Sequence, residues 1–200
     1  MYTGGNRMVR QELESSCREI MFLDLQRDRK TMTGLSVASF LVMVVMAVGM
    51  ALVRPIRALF DMSNGVGMYA LRFFCIIVGN LVYIVAHEAV HGFVMKRLGA
   101  QSVRFGFNGI YAWAGSELDY FERGGYILVA LAPAVFFGVL LSIGCLLVPA
   151  DWFWVLYLIQ IGNVSGSVGD FYVVMKLAGV RGELRIRDTG TNMTIYRVEK

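Results

Sequence analysis

The only two histidines of the chain, His87 and His91, stand four residues apart in the run Ala86-His87-Glu88-Ala89-Val90-His91-Gly92, inside a long apolar stretch. On a helix, positions i and i+4 share a face. Both imidazoles then reach one ion while Glu88, one position along, points at a water on that ion. This is the spacing of zinc-dependent hydrolysis, in which the ion lowers the pKa of a water toward neutrality and the carboxylate carries its proton. The same pattern arises by chance on exposed helix faces of soluble chains. The surroundings speak against chance here, because two imidazoles and a carboxylate in hydrocarbon cost several kcal/mol unless something compensates them.

A third ligand is expected from the segment Gln160-Ile161-Gly162-Asn163-Val164-Ser165-Gly166-Ser167-Val168-Gly169-Asp170, which is too polar and glycine-rich for a helix facing lipid. Gln160, Asn163, Ser167 and Asp170 follow steps of three, four and three and so form one stripe. Asn80, seven residues before His87, begins a matching polar seam. Counting a rise of about 1.5 Å per residue, His87 and His91 lie roughly 22 and 28 Å from Arg72, and Asp170 lies about 27 Å from Trp152. The three candidate ligands therefore share a level. Gly162 and Gly166, with nearby Gly169, would let the two helices approach closely enough for a short aspartate to reach. Glu117, Asp119 and Glu122 compete for the same role, although loop acids are more simply explained as solvated surface. Asn163 and Ser167 are candidates for holding substrate or stabilising an oxyanion, with helix packing the equal alternative.

The elements that must position these residues read as membrane spans. With 200 residues, 56% of them apolar, and a mean hydropathy of +0.58, the chain is too apolar for an ordinary soluble domain. Four stretches are long enough to cross a bilayer: Leu35 to Val53, Leu71 to Met95, Tyr126 to Val148 and Trp152 to Leu177. Pro133 should kink the third. The first follows more than thirty residues rich in charge, so it lacks the layout of a cleavable signal peptide. Lys and Arg gather before the first span, between the second and third, and after the fourth, although Arg54, Arg57 and Arg72 cloud the asymmetry. The positive-inside rule then places both termini and the 96–125 loop in the cytoplasm of a multi-pass cell-membrane protein. The net charge of +4 follows from these flanks. The charges flank spans and form no aromatic-interleaved stripe, so they suit membrane lipid and not nucleic acid. Cys17, Cys75 and Cys145 have no metal-ligand spacing and read as filler.

On His87-Glu88-x-x-His91 in one span and the Asn163–Asp170 segment in a later one, the chain resembles the bacterial membrane family of putative zincin peptidases, which is similar in plan to the site-2 intramembrane metalloproteases. The resemblance covers about Leu71 to Leu177. It implies Zn2+ held by His87, His91 and Asp170, Glu88 as catalytic acid/base, and a peptide or membrane-protein substrate. Site-2 proteases usually carry their aspartate in an Asn-Pro-rich segment ending Asp-Gly, whereas Asp170 follows Ser-Val-Gly and precedes Phe171.

The expected fold is an all-α polytopic membrane protein of about four transmembrane helices, with a small β-hairpin in the cytoplasmic loop and another at the C-terminus. Residues 1–34 form the cytosolic N-terminal segment, read over 11–30 as an amphipathic surface helix. Residues 35–179 form the four-span metallopeptidase-like domain, and 180–200 a cytosolic tail. The first hairpin centres on Asn108-Gly109, a strong two-residue turn, and either adds a substrate strand at its edge or anchors aromatic residues at headgroup level. The second pairs Leu184–Asp188 with Met193–Val198. No Walker loop, dinucleotide fingerprint or nucleophile elbow is present. A noncatalytic membrane protein that holds zinc structurally or as a sensor is the alternative from a different class.

Overall fold

In the computed structural model, which describes residues 8–24, 28–107 and 112–199, the elements in chain order are β1 (Val9–Arg10), β2 (Cys17–Leu23), α1 (Arg29–Val53), α2 (Val66–Arg97), β3 (Val103–Phe107), β4 (Ala112–Glu122), α3 (Arg123–Leu147), α4 (Phe153–Gly166), α5 (Val168–Gly179), β5 (Leu184–Asp188) and β6 (Met193–Val198). A 3-10 turn, Ile56–Phe60, precedes α2. Three of the helices, α1, α2 and α3, are long and apolar enough to cross a membrane. None of the α1 side chains is fully buried, and much of its apolar surface faces outward.

Local chemistry sets the helix ends. Asp28 caps α1 by accepting the backbone N–H groups of Lys30 and Thr31 at 3.1 and 3.3 Å. Helix α2 stops at Gly99, whose φ of +104° only glycine adopts freely. There Gly99 N–H donates to Lys96 O and Ala100 N–H to Met95 O, both at 3.0 Å, which turns the chain directly into β3.

The fold is mixed α/β and not all-α: six antiparallel strands make one sheet in the order β1-β4-β5-β6-β2, with β3 also on β4. The two hairpins are present as β3–β4 and β5–β6, with Phe107 opposite Ala112 and Asp188 opposite Met193. The Asn108-Gly109 turn lies outside the described residues. The segment read as an amphipathic helix instead supplies β2, because β6 offers it a ladder from Cys17↔Val198 to Leu23↔Met193. A pairing partner 170 or more positions away overrides a local pattern that suits either structure. The stretch read as a fourth span is likewise two shorter helices. Helix α4 ends at Gly166, and Ser167 turns its N–H and its hydroxyl back onto Asn163 O, at 3.2 and 2.8 Å, before α5 begins. Gly-Ser-Val-Gly is a poor helix interior.

The chain divides into two compact units. The first comprises Met1–Thr33, His87–Pro133 and Asp170–Lys200. Its core packs Met95, Val129 and Leu177 from the helices against Phe121, Leu184, Ile186 and Ile195 from the sheet, all at most 1% exposed. Each such side chain contributes about 1.5–3 kcal/mol on leaving water.

The second unit comprises Gly34–Ala86 and Ala134–Gly169. Here the Tyr157 hydroxyl of α4 donates to Met46 O of α1 at 3.2 Å. Gly162 lies against the Asn80 side chain, so a Cβ there would meet its Oδ1, while Gly166 and Gly169 border open space. Arg72, which clouded the charge asymmetry, is fully buried, donating to Asp61 O at 2.8 Å and pairing with Asp151 at 3.1 Å. Its charge is balanced inside the protein. All three cysteines are free thiols.

Candidate metal centre

Helix α2 presents His87 and His91 one turn apart, and the first turn of α5 presents Asp170. All three belong to the first unit. His87 Nε2 and His91 Nε2 lie 3.1 Å apart. Asp170 Oδ2 is 3.3 Å from His87 Nε2, and Oδ1 is 3.6 Å from His91 Nε2. Both histidines are 8% exposed, which keeps the cluster largely out of bulk water.

These spacings fit zinc. Ligand atoms about 2.0–2.1 Å from a tetrahedral ion are separated from one another by about 3.3 Å, the middle of the observed range. Two imidazoles and one carboxylate are also a donor set that zinc accepts, with three protein ligands leaving its fourth position open.

Supporting groups hold the cluster. His91 Nδ1 lies 2.9 Å from Val129 O of α3. A carbonyl accepts only, so Nδ1 carries the hydrogen and the Nε2 lone pair faces His87 and Asp170. The half-buried Glu88 carboxylate accepts the Ala114 N–H of β4. Ala114 lies beyond the last β4–β5 pair, Ser116↔Asp188. The Tyr126 hydroxyl of α3 donates to Asp188 Oδ2, and Gly190 N–H donates to Oδ1 at 2.7 Å. Burial pushes the Asp188 carboxyl up to about 6, with the charge of Asp170 acting in the same direction and the two hydrogen bonds opposing it.

The other residues singled out in the sequence are engaged elsewhere. Asn163 is fully buried in the second unit, where Oδ1 accepts the Tyr83 hydroxyl at 3.0 Å and Nδ2 donates to Ala134 O at 3.2 Å. The Ser167 hydroxyl is bound to Asn163 O. Glu117 pairs with Arg104 at 3.2 Å and Glu122 with Arg10 at 3.8 Å. Asp119 is not solvated surface. It is fully buried and accepts Gln101 N–H, Ser102 N–H and the Ser102 hydroxyl at 3.0, 2.9 and 2.8 Å, besides the Ser116 hydroxyl. Among the described residues, the one His/Cys/Asp/Glu group with converging ligand atoms is His87, His91 and Asp170.

Sequence reasoning missed Val129, Ala114, Tyr126 and Asp188. The first two act through backbone atoms and have no side-chain signature. Tyr126 and Asp188 are 62 positions apart and meet only through the sheet.

The model of a family described as "Putative zincin peptidase" matches residues 80–183. That span begins at Asn80 and contains both histidines, Glu88, Asp170 and strands β3 and β4. No curated protein and no solved structure matches the chain.

Proposed function

This chain belongs to that zincin peptidase family, whose model covers just over half of it, and from that membership we propose that it is a zinc-dependent peptidase acting within or beside the membrane through its HExxH site. His87, His91 and Asp170 would hold the ion. The observation that carries the reading is the convergence of their three donor atoms within 4.8 Å, beside a glutamate held by a strand. Zinc, when bound there, supplies Lewis acidity, polarising a carbonyl and making water acidic near neutral pH.

The chain's own residues do the rest. Glu88, fixed by the Ala114 N–H, takes the proton of the attacking water on its free carboxylate oxygen and returns it to the amide nitrogen that leaves. His91, held by Val129 O, keeps its ring from rotating out of the cluster. A membrane setting for this chemistry is supported by helices α1, α2 and α3, which are long and apolar enough to cross a bilayer. The positive-inside pattern of the sequence supports a site toward the cytoplasmic face, with both termini in the cytoplasm. A metal-binding pair on one membrane helix and an aspartate on a later one is also the plan of site-2 proteases. The hydrogen bonds of Asn163 and Ser167 favour a packing role for both over substrate binding.

The noncatalytic alternative has less support, since structural zinc sites are closed by four protein ligands and three converge here. Glu88→Gln separates the two. It should leave zinc content unchanged and abolish cleavage of a membrane-protein or peptide substrate, losing at least the ~10²-fold of general acid–base catalysis. Equal cleavage by wild type and Glu88→Gln, or none by a zinc-loaded wild type across a broad peptide library, would contradict the peptidase reading.

A further inference from the structure

Helix α3 runs unbroken from Arg123 to Leu147 with Pro133 in its interior. In an α-helix the N–H of residue i bonds the carbonyl of residue i−4, so position 133 would serve the carbonyl of Val129. Proline has no N–H, and its ring crowds that same carbonyl. Val129 O is therefore deprived of its regular helical donor. The residue is 1% exposed, and a carbonyl in such surroundings needs a partner. The partner present is the His91 ring, whose Nδ1 lies 2.9 Å away.

We propose that Pro133 is a positioning residue for His91: by withholding its own N–H it reserves the Val129 carbonyl for the imidazole, fixing the ring's tautomer and orientation. The Nε2 lone pair is then directed at the point shared with His87 Nε2 and Asp170 Oδ1, 3.1 and 3.6 Å away. Neither the HExxH spacing nor Asp170 can do this, because both act from the other side of the ring. A proline that merely bent α3 would not need to stand four residues after the carbonyl that meets a candidate ligand. The consequence for metal affinity rests on the proposed zinc site. The tautomer does not.

The test uses full-length protein in detergent with 15N-labelled histidine. Two histidines make the ring spectrum simple enough to assign with His87→Gln. In metal-free wild type, His91 should be a single Nδ1–H tautomer. Pro133→Ala restores an N–H at position 133 to compete for Val129 O. It should give a mixture of tautomers and weaken zinc binding about 10- to 100-fold, the usual effect of losing a group that orients a ligand. A backbone-ester analogue of alanine at position 133 lacks both the ring and the N–H, so it should restore the wild-type tautomer and affinity. That rescue separates the missing N–H from any effect of the ring on helix shape. An unchanged His91 tautomer in Pro133→Ala, or an ester variant that behaves like Pro133→Ala, would overturn the inference. Wild type that takes no zinc, yet shows the tautomer change on Pro133→Ala, would leave the inference standing and remove the zinc reading.

Discussion

Phe105 of β3 lies directly over Gly92, the residue that follows His91, so closely that a Cβ at position 92 would overlap its ring. The strand is thus seated on the motif helix at the candidate metal site. Gly92→Ala should displace Phe105 and lower stability by about 1 kcal/mol, at the lower end of overpacking costs because the ring is half-exposed at 52%. Gly92→Ala combined with Phe105→Ala should recover most of that loss. Chemical unfolding of the single and double variants measures the coupling, and equal losses in both would show that strand and helix do not meet there.

Asp119 sets a pH dependence. Burial alone would raise its pKa, but the hydrogen bonds from Ser116, Ser102 and Gln101 outweigh it and hold the carboxyl below the ordinary aspartate range. Its stabilisation is therefore fully present above the unfolded value of about 3.9 and is lost as pH falls through the lower folded value. Asp119→Asn should melt well below wild type at pH 7, and the gap should narrow as pH falls below the unfolded aspartate value. A gap independent of pH would mean that the charge contributes nothing.

Tyr83 and Asn163 test whether the polar seam of α4 packs or binds. Removing one partner from a buried hydrogen bond costs about 1–3 kcal/mol. Tyr83→Phe and Asn163→Ala should each lose that much stability and leave zinc content unchanged. If Asn163→Ala melted like wild type but raised KM for peptide, Asn163 would belong to the substrate site.

Much of the candidate site was legible because it depends on helical periodicity. A four-residue step puts His87 and His91 on one face, and Asp170 falls beside them although the count that set its level assumed one helix where α4 and α5 are two. The sheet was less legible because its stabilising pairs are remote. Nothing local to Cys17–Leu23 announces Val198 as a neighbour, and the same residues satisfy an amphipathic helical pattern. Asp119 was misread for a related reason, since its donors Gln101 and Ser102 reach it only once β3 folds back on β4. The break between α4 and α5 did leave a signal, Gly166-Ser167-Val168-Gly169, which the apolarity of the flanking residues masked.

Zinc per chain, measured by elemental analysis of detergent-purified protein with His87→Ala and Asp170→Ala prepared in parallel, tests the central claim most directly. The account predicts about one zinc in wild type and a clear loss in both variants, each of which removes one of three converging ligands. A folded wild type that takes up no zinc even when it is supplied, or an Asp170→Ala variant that binds as wild type does, would contradict it.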